Sequence, residues 1–406
     1  MNYNQPLKEI LTSDGFEQLK KGHPWIFKNH LKKDFSLPQK PMLYPLGEHW
    51  FLFSPQSNII LRRLGPSTRL WPHENLERTP IANLSDFETH FSEPLFKLLK
   101  NTFEKKQRLI NYDSCFRWLF SENDYFPGLI IDVFQDNLVA QILSAPIEHF
   151  WPVIKKLILK VKPNAIIHEQ RSHPIRLKEG LPIIADTQTL SKDFKWNGLQ
   201  WNFSILNNQK TGTYLDQKEN HLKALSWAQK LNVKEAWDVF CFEGGFTLPL
   251  AKENINVLAV DSSNQALENL KKNALSNKIE KNISVLKQDA FFFLKEQFNA
   301  KKKTDLIILD PPPFAKKASE KFGALKGYKE LNLRAMHSLN TPGLLVSCSC
   351  SHTISRNDFL KMLGAASHDA RKQVQILDVG SASPDHAPHT CFPEGDYLQS
   401  WFLLVS

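Results

Sequence analysis

The stretch EAWDVFCFEGGFTLPLAKE, residues 235–253, decides the fold of this chain. Its apolar beginning predicts a buried strand, the glycine pair Gly244-Gly245 predicts a turn, and the segment that follows predicts a helix. Glycines after a strand let the backbone approach a ligand closely. The stretch therefore predicts the first strand, ligand-binding turn and helix of an α/β domain.

The sequence after residue 253 repeats this order of strand and helix. Strand-like runs at 256–261 (NVLAVD), 283–290 (ISVLKQDA), 305–310 (DLIILD) and 343–349 (GLLVSCS) each precede a helical stretch, and two strands near 374–380 and 397–406 close the chain. Apolar strands alternating with helices predict a parallel, doubly wound sheet with both faces covered. Ligands of such sheets lie at the carboxyl ends of the strands.

The regions upstream have a different character. Residues 1–75 contain short apolar runs broken by proline, glycine and asparagine, which predicts a small β-rich domain. Residues 76–114 predict a helical connector, residues 115–192 a small central α+β domain, and residues 193–406 the doubly wound domain.

Composition narrows the class of protein. The 406 residues include five scattered cysteines, which is not the pattern of a disulfide framework and favours a reducing compartment. We find no secretory signal pattern and no apolar run long enough to span a bilayer, so we expect a cytoplasmic protein with no membrane anchor. A net charge of +9 favours a polyanionic partner, although charge alone is weak support.

Acidic residues end two successive strands beside the glycine turn. Asp261 stands where an acid commonly accepts hydrogen bonds from a ribose diol, and Asp289 can reach an adenine amino group. The turn is not G-x-G-x-x-G and contains no Walker lysine, which disfavours a nicotinamide or a nucleoside triphosphate. The pattern favours a nucleoside without phosphates, such as S-adenosylmethionine. The alternative is a glycine turn with two surface acids.

The fourth strand ends in Asp310-Pro311-Pro312-Pro313-Phe314. Because prolines cannot donate to a sheet ladder, the chain must leave the sheet here with Asp310 at the crevice. An acid beside a methyl-donor pocket can engage an amino or ring nitrogen of a base. The alternative is an aspartate that caps a turn.

The fifth strand carries two cysteines in LLVSCSCSHTIS, residues 344–355. Cys348 and Cys350 point to the same face of a strand, and a disulfide between them would need strained geometry. A zinc site needs about four ligands. His386, His389 and Cys391 could join the pair, but the C-x-x-C knuckles typical of zinc are missing.

A nucleophilic thiol explains the two cysteines better. The fifth carbon of a pyrimidine is too weak a nucleophile to take a methyl group directly, and a thiolate that adds to the sixth carbon activates it. Cys350 lies nearer the end of the strand and the crevice, whereas Cys348 is expected to pack within the sheet. We therefore favour Cys350 as the nucleophile.

Taken together, these segments resemble the large-subunit ribosomal RNA cytosine-5 methyltransferases that carry an N-terminal PUA domain. The resemblance spans almost the whole chain. It rests, in order, on KGHPWIF (21–27), FSPQSNIILRRL (53–64), FPGLIIDVFQDNLVAQILSA (126–145), KTGTYLDQK (210–218), FCFEGGF (240–246), VDSSNQALENLKKN (260–273), LDPPPFAK (309–316), LKGYKELN (325–332), SCSH (349–352) and DHAPHTCFPEGDYL (385–398).

The resemblance implies a fold and a cofactor. The fold would be a Rossmann-like class I methyltransferase domain with a mostly parallel seven-stranded sheet, an N-terminal β-barrel-like PUA domain and a small central α+β domain. The cofactor would be S-adenosylmethionine, with no metal. The residues implied to bind it are Lys210, Thr211, Gly212, Tyr214, Asp216, Phe240, Gly244, Gly245, Phe246, Asp261, Ser262, Asp289, Ala290 and Asp310.

The resemblance also implies RNA, most of all ribosomal RNA, as the substrate. The sequence leaves the oligomeric state open between a monomer and a homodimer. Catalysis would rest on Cys350 and Asp310, since the family's cysteine occupies the place of Cys350 and the place of Cys348 can hold other residues. Basic residues interleaved with aromatics in residues 20–33 suit RNA, although an aromatic core with a solvated lysine face is the alternative. The residues implied to contact the substrate are Pro311, Pro312, Phe314, Lys326, Tyr328, Lys21 and Trp25.

Two departures keep other functions open. Glu243 stands where family members carry a threonine or a similar residue, and Thr213-Tyr214 stand where they carry two aromatics. One alternative is a guanine or adenine nitrogen methyltransferase on the same scaffold, which would need no thiol. The other is a non-catalytic RNA-binding assembly factor with a degenerate cofactor pocket.

Overall fold

The computed structural model describes residues 7–36, 38–46, 48–65, 79–110, 113–185, 191–204, 213–315 and 317–406, apart from the side chains of Lys8 and Ser204. The chain divides into two compact units. The first comprises Met1–Ser191, Ser204–Gly212 and Pro384–Gly395; the second comprises Lys192–Phe203, Thr213–Ser383 and Asp396–Ser406. No helix in these described ranges is both long and apolar enough to cross a membrane.

The first unit begins with a four-stranded antiparallel sheet. Its elements are α1 (Leu7–Ile10), α2 (Ser13–Lys20), β1 (Trp25–Phe27), β2 (Met42–Leu46), β3 (His49–Phe53) and β4 (Ile59–Leu64). The strand order is β1-β4-β3-β2, so β1 and β2 are edges among the described strands. A barrel-like PUA domain therefore remains a prediction for this region.

A second sheet completes the first unit. Its elements are α3 (Leu84–Leu109), β5 (Cys115–Phe120), β6 (Leu129–Phe134), β7 (Asn137–Ile142), α4 (Ala145–Val161) and β8 (Ile166–Gln170), and its strand order is β5-β6-β7-β8. The rings of Phe87 and Phe150 stack 4.0 Å apart where α3 meets α4. Trp50 of the first sheet belongs to the same buried apolar cluster, so one face of the first sheet shares a core with the second sheet, while Phe51 belongs to a separate cluster with the N-terminal helices.

The second unit contains the seven-stranded sheet. Its elements are β9 (Ser191–Trp196), β10 (Leu199–Ser204), α5 (Lys218–Lys230), β11 (Glu235–Val239), α6 (Thr247–Lys252), β12 (Asn256–Asp261), α7 (Asn264–Ser276), β13 (Ile283–Lys287), α8 (Ala290–Asn299), β14 (Thr304–Leu309), α9 (Lys321–His337), β15 (Leu339–Ser349), α10 (Arg356–Ala370), β16 (Val374–Ser381) and β17 (Gln399–Val405). The predicted strand that opens the domain is β11.

The order of the seven strands is β13-β12-β11-β14-β15-β17-β16, and only β17 runs against the others. β11 lies between β12 and β14, so the chain leaves it on one side of the sheet and later returns on the other. Such a reversal opens a crevice at the carboxyl ends of the strands. The predicted doubly wound, mostly parallel sheet is confirmed.

Side chains set the starts of several helices around this crevice. The Ser263 hydroxyl accepts a hydrogen bond from Ala266 N at the start of α7, and the Asp289 carboxylate accepts one from Phe292 N at the start of α8. These caps satisfy backbone donors that a helix leaves unpaired. They fix where α7 and α8 begin relative to the strands before them.

Candidate active site

The loop of residues 240–246, after β11, has a constrained backbone. Phe240 and Phe242 have left-handed φ angles of +69° and +48°, and Gly244 has +95°. Left-handed backbone in a bulky residue is uncommon and costs on the order of 1–3 kcal/mol, so surrounding contacts must impose it. Such outliers cluster at ligand sites.

Hydrogen bonds to β12 hold this loop in place. Phe240 N and Cys241 N donate to the carbonyl oxygen of Val260 at 2.9 and 3.1 Å. The Oδ2 atom of Asp261 accepts a hydrogen bond from Phe242 N at 2.9 Å, and its Oδ1 atom accepts one from Ser263 N at 2.8 Å. Asp261 thereby ties the glycine loop to the end of the second strand.

Packing requires glycine at both positions of the pair. A Cβ atom on Gly244 would lie 2.3 Å from Cδ1 of Leu270, in addition to the strain of its φ angle. A Cβ atom on Gly245 would lie 2.6 Å from the ring of His221. His221 is buried on α5, and burial lowers the pKa of its imidazole to about 3, so the ring against the loop is neutral.

Gly245→Ala is expected to weaken S-adenosylmethionine binding at least about 10-fold and to destabilise the fold by about 1–3 kcal/mol, because the buried His221 ring cannot yield. Calorimetry and urea unfolding measure the two effects. Gly323→Ala on α9 is the matched control, since nothing lies within 4 Å of its added methyl group. Unchanged cofactor affinity in the Gly245 variant would show that the loop does not hold the ligand.

The strand-end acids predicted from the sequence occupy different settings. Asp310 follows β14 directly, is half-buried, and its N–H donates to the Val239 carbonyl at 3.4 Å. Asp289 is exposed and caps α8 through Oδ1, with Ala290 buried behind it. Ser262 is exposed beside Asp261. All of these residues lie at the carboxyl ends of the parallel strands.

Tyr214 marks the point where residues distant in sequence converge. Burial raises the pKa of the Tyr214 phenol, and the nearby Asp310, Asp216, Cys350 and Asp261 raise it further. These four groups, three of which are carboxyl groups, therefore lie near one tyrosine and make its surroundings acidic. Lys210, Thr211 and Gly212, which were predicted to close the pocket, lie outside the described residues.

Asp216 is tied to the last segment of the chain. Its Oδ2 atom accepts a hydrogen bond of 2.6 Å from the hydroxyl of Tyr397, and its backbone carbonyl accepts one from Ser383 N. The Tyr397 ring also lies 5.2 Å from that of His352, two residues after Cys350. Tyr397 thus joins the predicted cofactor side of the cleft to the cysteine side.

The two cysteines of β15 have different surroundings. Cys348 is fully buried opposite Ser400 of β17, and burial together with the charge of Asp310 raises the pKa of its thiol well above the ordinary value. Cys350 follows the last residue of β15 and is half-buried. Its Sγ atom lies 3.9 Å from the carbonyl oxygen of Pro311, in the proline loop. Only Cys350 therefore offers a partly accessible thiol at this strand end.

The disulfide and zinc alternatives concern the five cysteines and the histidines near the end of the chain. The five cysteines are all thiols, without a disulfide. Among the residues that the structure describes, no three His, Cys, Asp or Glu side chains are grouped to hold a metal ion. His386 contacts Asp385 at 3.0 Å, and His389 contacts the Tyr125 hydroxyl at 2.7 Å.

The residues predicted to contact the substrate are partly buried. Pro311 is buried, Pro312 exposed and Phe314 half-buried, with the Phe314 ring 4.6 Å from that of Tyr328. Tyr328 is only 1% exposed. Lys326 is exposed and holds its Nζ atom 4.6 Å from the ring centre of Phe322.

In the first unit, the predicted RNA-contacting residues differ in accessibility. Lys21 is exposed. Trp25 is half-buried, its ring lies 4.8 Å from Phe392, and its indole N–H donates to Glu122 at 2.8 Å. Arg62 of β4 is buried and paired with Glu179 at 2.6 Å. The exposed lysines, rather than Arg62, give this region its positive surface.

Glu243 turns away from solvent, into the face of α7. Its Oε1 atom accepts a hydrogen bond of 2.7 Å from Asn269, while Oε2 is buried with no hydrogen-bond partner among the described atoms. Burial raises the pKa of Glu243 to about 7, against a partial offset from Asn269. The carboxyl group therefore packs against α7 and is largely protonated below neutral pH.

Glu243→Gln is expected to reduce the loss of stability with rising pH. The folded pKa lies above the unfolded one, so the folded state binds the proton more tightly and stability falls as pH rises from about 4.5 through about 7. Glutamine keeps the Asn269 contact and does not ionise, which should remove on the order of 2 kcal/mol of this decline. Urea unfolding between pH 5 and 8, with the exposed Glu280→Gln as control, measures it. Identical slopes in wild type and variant would contradict the assignment.

The chain is similar to proteins of a known family. A family model described as Conserved hypothetical protein 95 matches residues 219–355. The ribosomal RNA large subunit methyltransferase I of Vibrio cholerae is 30% identical over 404 residues, which span 96% of this chain and 97% of that protein. The protein of the same name from Tolumonas auensis is 31% identical over 405 residues, with coverage of 96% and 97%.

The chain belongs to the ribosomal RNA large subunit methyltransferase I family. A solved SAM-dependent methyltransferase from Streptococcus mutans shares its fold, with a TM-score of 0.75 over 97% of this chain and 98% of the other at 17% identity. A second solved methyltransferase, complexed with SAH, also has a TM-score of 0.75, at 18% identity. The predicted methyltransferase fold is confirmed.

Three contributors to the site in this member of the ribosomal RNA large subunit methyltransferase I family escaped prediction. His221 packs on the glycine loop, Tyr397 forms a hydrogen bond with Asp216, and Ser351 forms one with Tyr328. The signal for Tyr397 was present, since it lies in the closing segment that carried the resemblance. His221 and Ser351 act through contacts that only the folded chain creates.

Proposed function

We propose that this chain is an S-adenosylmethionine-dependent methyltransferase of large-subunit ribosomal RNA that methylates the fifth carbon of a cytosine. Cys350 is the nucleophile, and Asp310 binds the base. One observation carries the proposal: the Cys350 thiol is half-buried at the carboxyl end of β15, beside the proline loop that follows Asp310. Family membership supports the methyltransferase activity and the ribosomal RNA substrate.

The acidic cleft suits S-adenosylmethionine, which carries a positive sulfonium and an ammonium group. Asp310, Asp216 and Asp261 surround Tyr214, while residues 240–246 contain no lysine or arginine. Such a site attracts a cationic donor and disfavours phosphates. In this proposal Asp261 and Ser262 hold the ribose, and Asp289 and Ala290 hold the adenine.

The remaining cofactor contacts come from the loop and from the segment before α5. Backbone of Phe240, Gly244, Gly245 and Phe246 lies against the ligand, which explains why the loop accepts a constrained conformation. Tyr214 and Asp216, anchored by Tyr397, close the methionine side. Bound S-adenosylmethionine supplies an electrophilic methyl group on its sulfonium.

The proposed reaction proceeds by covalent catalysis through the Cys350 sulfur atom. The Cys350 thiolate adds to the sixth carbon of cytosine, and the resulting enamine attacks the methyl group through its fifth carbon. The bond between the methyl group and the donor sulfur would break in that step, leaving S-adenosylhomocysteine. A base then removes the hydrogen left on the fifth carbon, and the bond to Cys350 breaks to restore the aromatic ring. Asp310 accepts a hydrogen bond from the exocyclic amino group and keeps the ring oriented toward Sγ.

The first unit supplies an RNA-binding surface in this proposal. Lys20, Lys21, Lys28, Lys32 and Lys33 are exposed around α2 and β1, where they can neutralise phosphates. Trp25 presents only the part of its ring that Phe392 leaves uncovered. The region would act as the PUA-like domain of residues 1–75, joined by the connector 76–114 to the central domain 115–192 and the methyltransferase domain 193–406.

Labelled methyl transfer followed by base identification tests the function. Large-subunit ribosomal RNA is incubated with the protein and S-adenosylmethionine carrying a labelled methyl group, and nucleosides are separated by mass spectrometry. The expected product is 5-methylcytidine. Methylguanosine or methyladenosine would instead identify a nitrogen methyltransferase. Failure to bind the cofactor in calorimetry would identify a non-catalytic RNA-binding protein.

A further inference from the structure

The hydroxyl of Tyr328 lies directly beneath the turn that carries Cys350. It accepts a hydrogen bond of 3.0 Å from the Ser349 hydroxyl and lies 3.1 Å from the Ser351 hydroxyl, the residues on either side of the cysteine. Tyr328 belongs to α9, 21 and 23 residues away from these serines in sequence. The phenol of α9 is thus hydrogen-bonded to both sequence neighbours of the proposed nucleophile.

These contacts close into a ring of hydrogen bonds. Ser351 N donates to the Ser349 hydroxyl at 3.3 Å, Ser349 donates to Tyr328, and the Tyr328 proton can point to the Ser351 hydroxyl. All three side chains are buried. Because each oxygen in the ring has a defined partner, the ring resists rearrangement.

Cys350 lies just beyond the end of the sheet ladder. The ladder between β15 and β17 ends with the pair Ser349 and Gln399, and the cysteine is the next residue. Its Sγ atom lies 3.9 Å from the Pro311 carbonyl oxygen. The ring of hydrogen bonds holds both residues that flank Cys350, and therefore the turn 349–351 that carries the thiol.

The Tyr328 ring is well anchored for this task. It packs 4.6 Å from Phe314 of the proline loop and 5.2 Å from Phe359 of α10. Burial raises the pKa of its hydroxyl to about 12, with hydrogen bonds from the serines opposing the shift, so the phenol keeps its proton throughout the range of an assay. With 1% of its surface exposed, Tyr328 does not reach a substrate.

We propose that Tyr328 is a positioning residue that aims the Cys350 thiol into the cleft by clamping Ser349 and Ser351. This inference rests on the proposed role of Cys350 and gives Tyr328 a different role from the substrate contact that the family resemblance implies. The clamp connects α9 to the cysteine turn, and the Tyr328 ring that forms it packs against Phe314 of the proline loop.

Tyr328→Phe removes the hydroxyl and keeps the ring, so it tests the clamp in the full-length protein. We expect single-turnover methyl transfer to fall about 10- to 100-fold, with the KM for RNA and the affinity for S-adenosylmethionine within about threefold of wild type. Tyr44→Phe, which removes a buried tyrosine hydroxyl from β2, is the matched control and should leave the rate unchanged.

Alkylation of Cys350 provides a readout that does not depend on the reaction. The rate at which iodoacetamide modifies the Cys350 peptide is followed by mass spectrometry from pH 6 to 10. In Tyr328→Phe we expect the rate constant for alkylation of Cys350 to differ from that of the wild type by at least about threefold at one or more pH values. The rate constants for the Cys391 peptide should stay unchanged over the same pH range.

The double variant Ser349→Ala, Ser351→Ala removes the other side of the clamp and serves if Tyr328→Phe fails to fold. Combined with Tyr328→Phe it should cost no more than either alone, since all act on one ring. Wild-type turnover and an unchanged alkylation profile in Tyr328→Phe would overturn the clamp even when Cys350→Ala is inactive. Full activity in Cys350→Ala would instead overturn the proposed nucleophile, and the alkylation profile would still decide the clamp.

Discussion

Cys350→Ala is expected to lower the rate of methyl transfer to RNA by at least about 10⁴-fold, because the fifth carbon of cytosine then lacks its only means of activation. Affinity for S-adenosylmethionine should stay within about threefold of wild type, since the donor contacts other residues. Single-turnover transfer of a labelled methyl group measures the rate, and calorimetry measures the affinity.

Cys348→Ala is the matched control for this experiment. It removes a thiol two residues earlier on the same strand, from a side chain that is fully buried. We expect it to cost about 1–2 kcal/mol of stability through the small cavity and to leave turnover within about threefold. Inactivity of the Cys348 variant alone, with an active Cys350 variant, would reverse the assignment of the nucleophile.

Asp310→Asn is expected to reduce methyl transfer about 10²- to 10³-fold, the second-largest effect. Asparagine preserves the shape of the side chain but loses the negative charge that, in the proposed mechanism, binds the amino group of the base and helps to stabilise a cationic donor. We expect the loss mainly in kcat, with a smaller loss of cofactor affinity. Single-turnover kinetics and calorimetry separate the two contributions.

Asp305→Asn offers a control on the same strand. Asp305 lies near the amino-terminal end of β14, where its carboxylate accepts hydrogen bonds from Lys234 N and Glu235 N. Because that end of the sheet is remote from the crevice, its substitution should leave transfer within about threefold. Equal losses in the Asp305 and Asp310 variants would mean that both act through stability, and the role given to Asp310 would be wrong.

Much of the sheet was predictable because its signals are local. Apolar runs, the glycine pair and the prolines after Asp310 each act within a few residues, and together they predicted strands that end at Val239, Asp261 and Leu309 in the structure. Parallel strands bring their carboxyl ends to one edge, so Asp261 and Asp310 could be placed together without knowledge of any contact.

The parts that escaped prediction depend on partners far away in sequence. The Tyr397 hydroxyl donates a hydrogen bond to Asp216, which is 181 residues away in sequence. The Trp25 indole donates one to Glu122, which is 97 residues away. Arg62 is paired with Glu179 across 117 residues and is buried. Glu243, which departs from the family pattern, packs its carboxyl group on Asn269 of the next helix. No local pattern encodes such pairings.

The predicted barrel-like N-terminal domain depends on features that the sequence does not reveal. Short apolar runs predicted β structure, and strands β1–β4 are present. Whether a sheet closes depends on register and on connections between distant strands, neither of which leaves a local signal. The described strands form an order with two edges, and sequence alone could not have fixed that order.

Trapping of a covalent intermediate tests the central claim most directly. RNA in which the target cytosine carries fluorine on its fifth carbon is incubated with the protein and S-adenosylmethionine. After methyl transfer that carbon bears no hydrogen for a base to remove, so the bond between Sγ and the sixth carbon persists. We predict a stable protein–RNA adduct that mass spectrometry locates on the Cys350 peptide. Methylation of ordinary RNA at cytosine with no adduct on the fluorinated RNA, or an adduct confined to Cys348, would contradict the account.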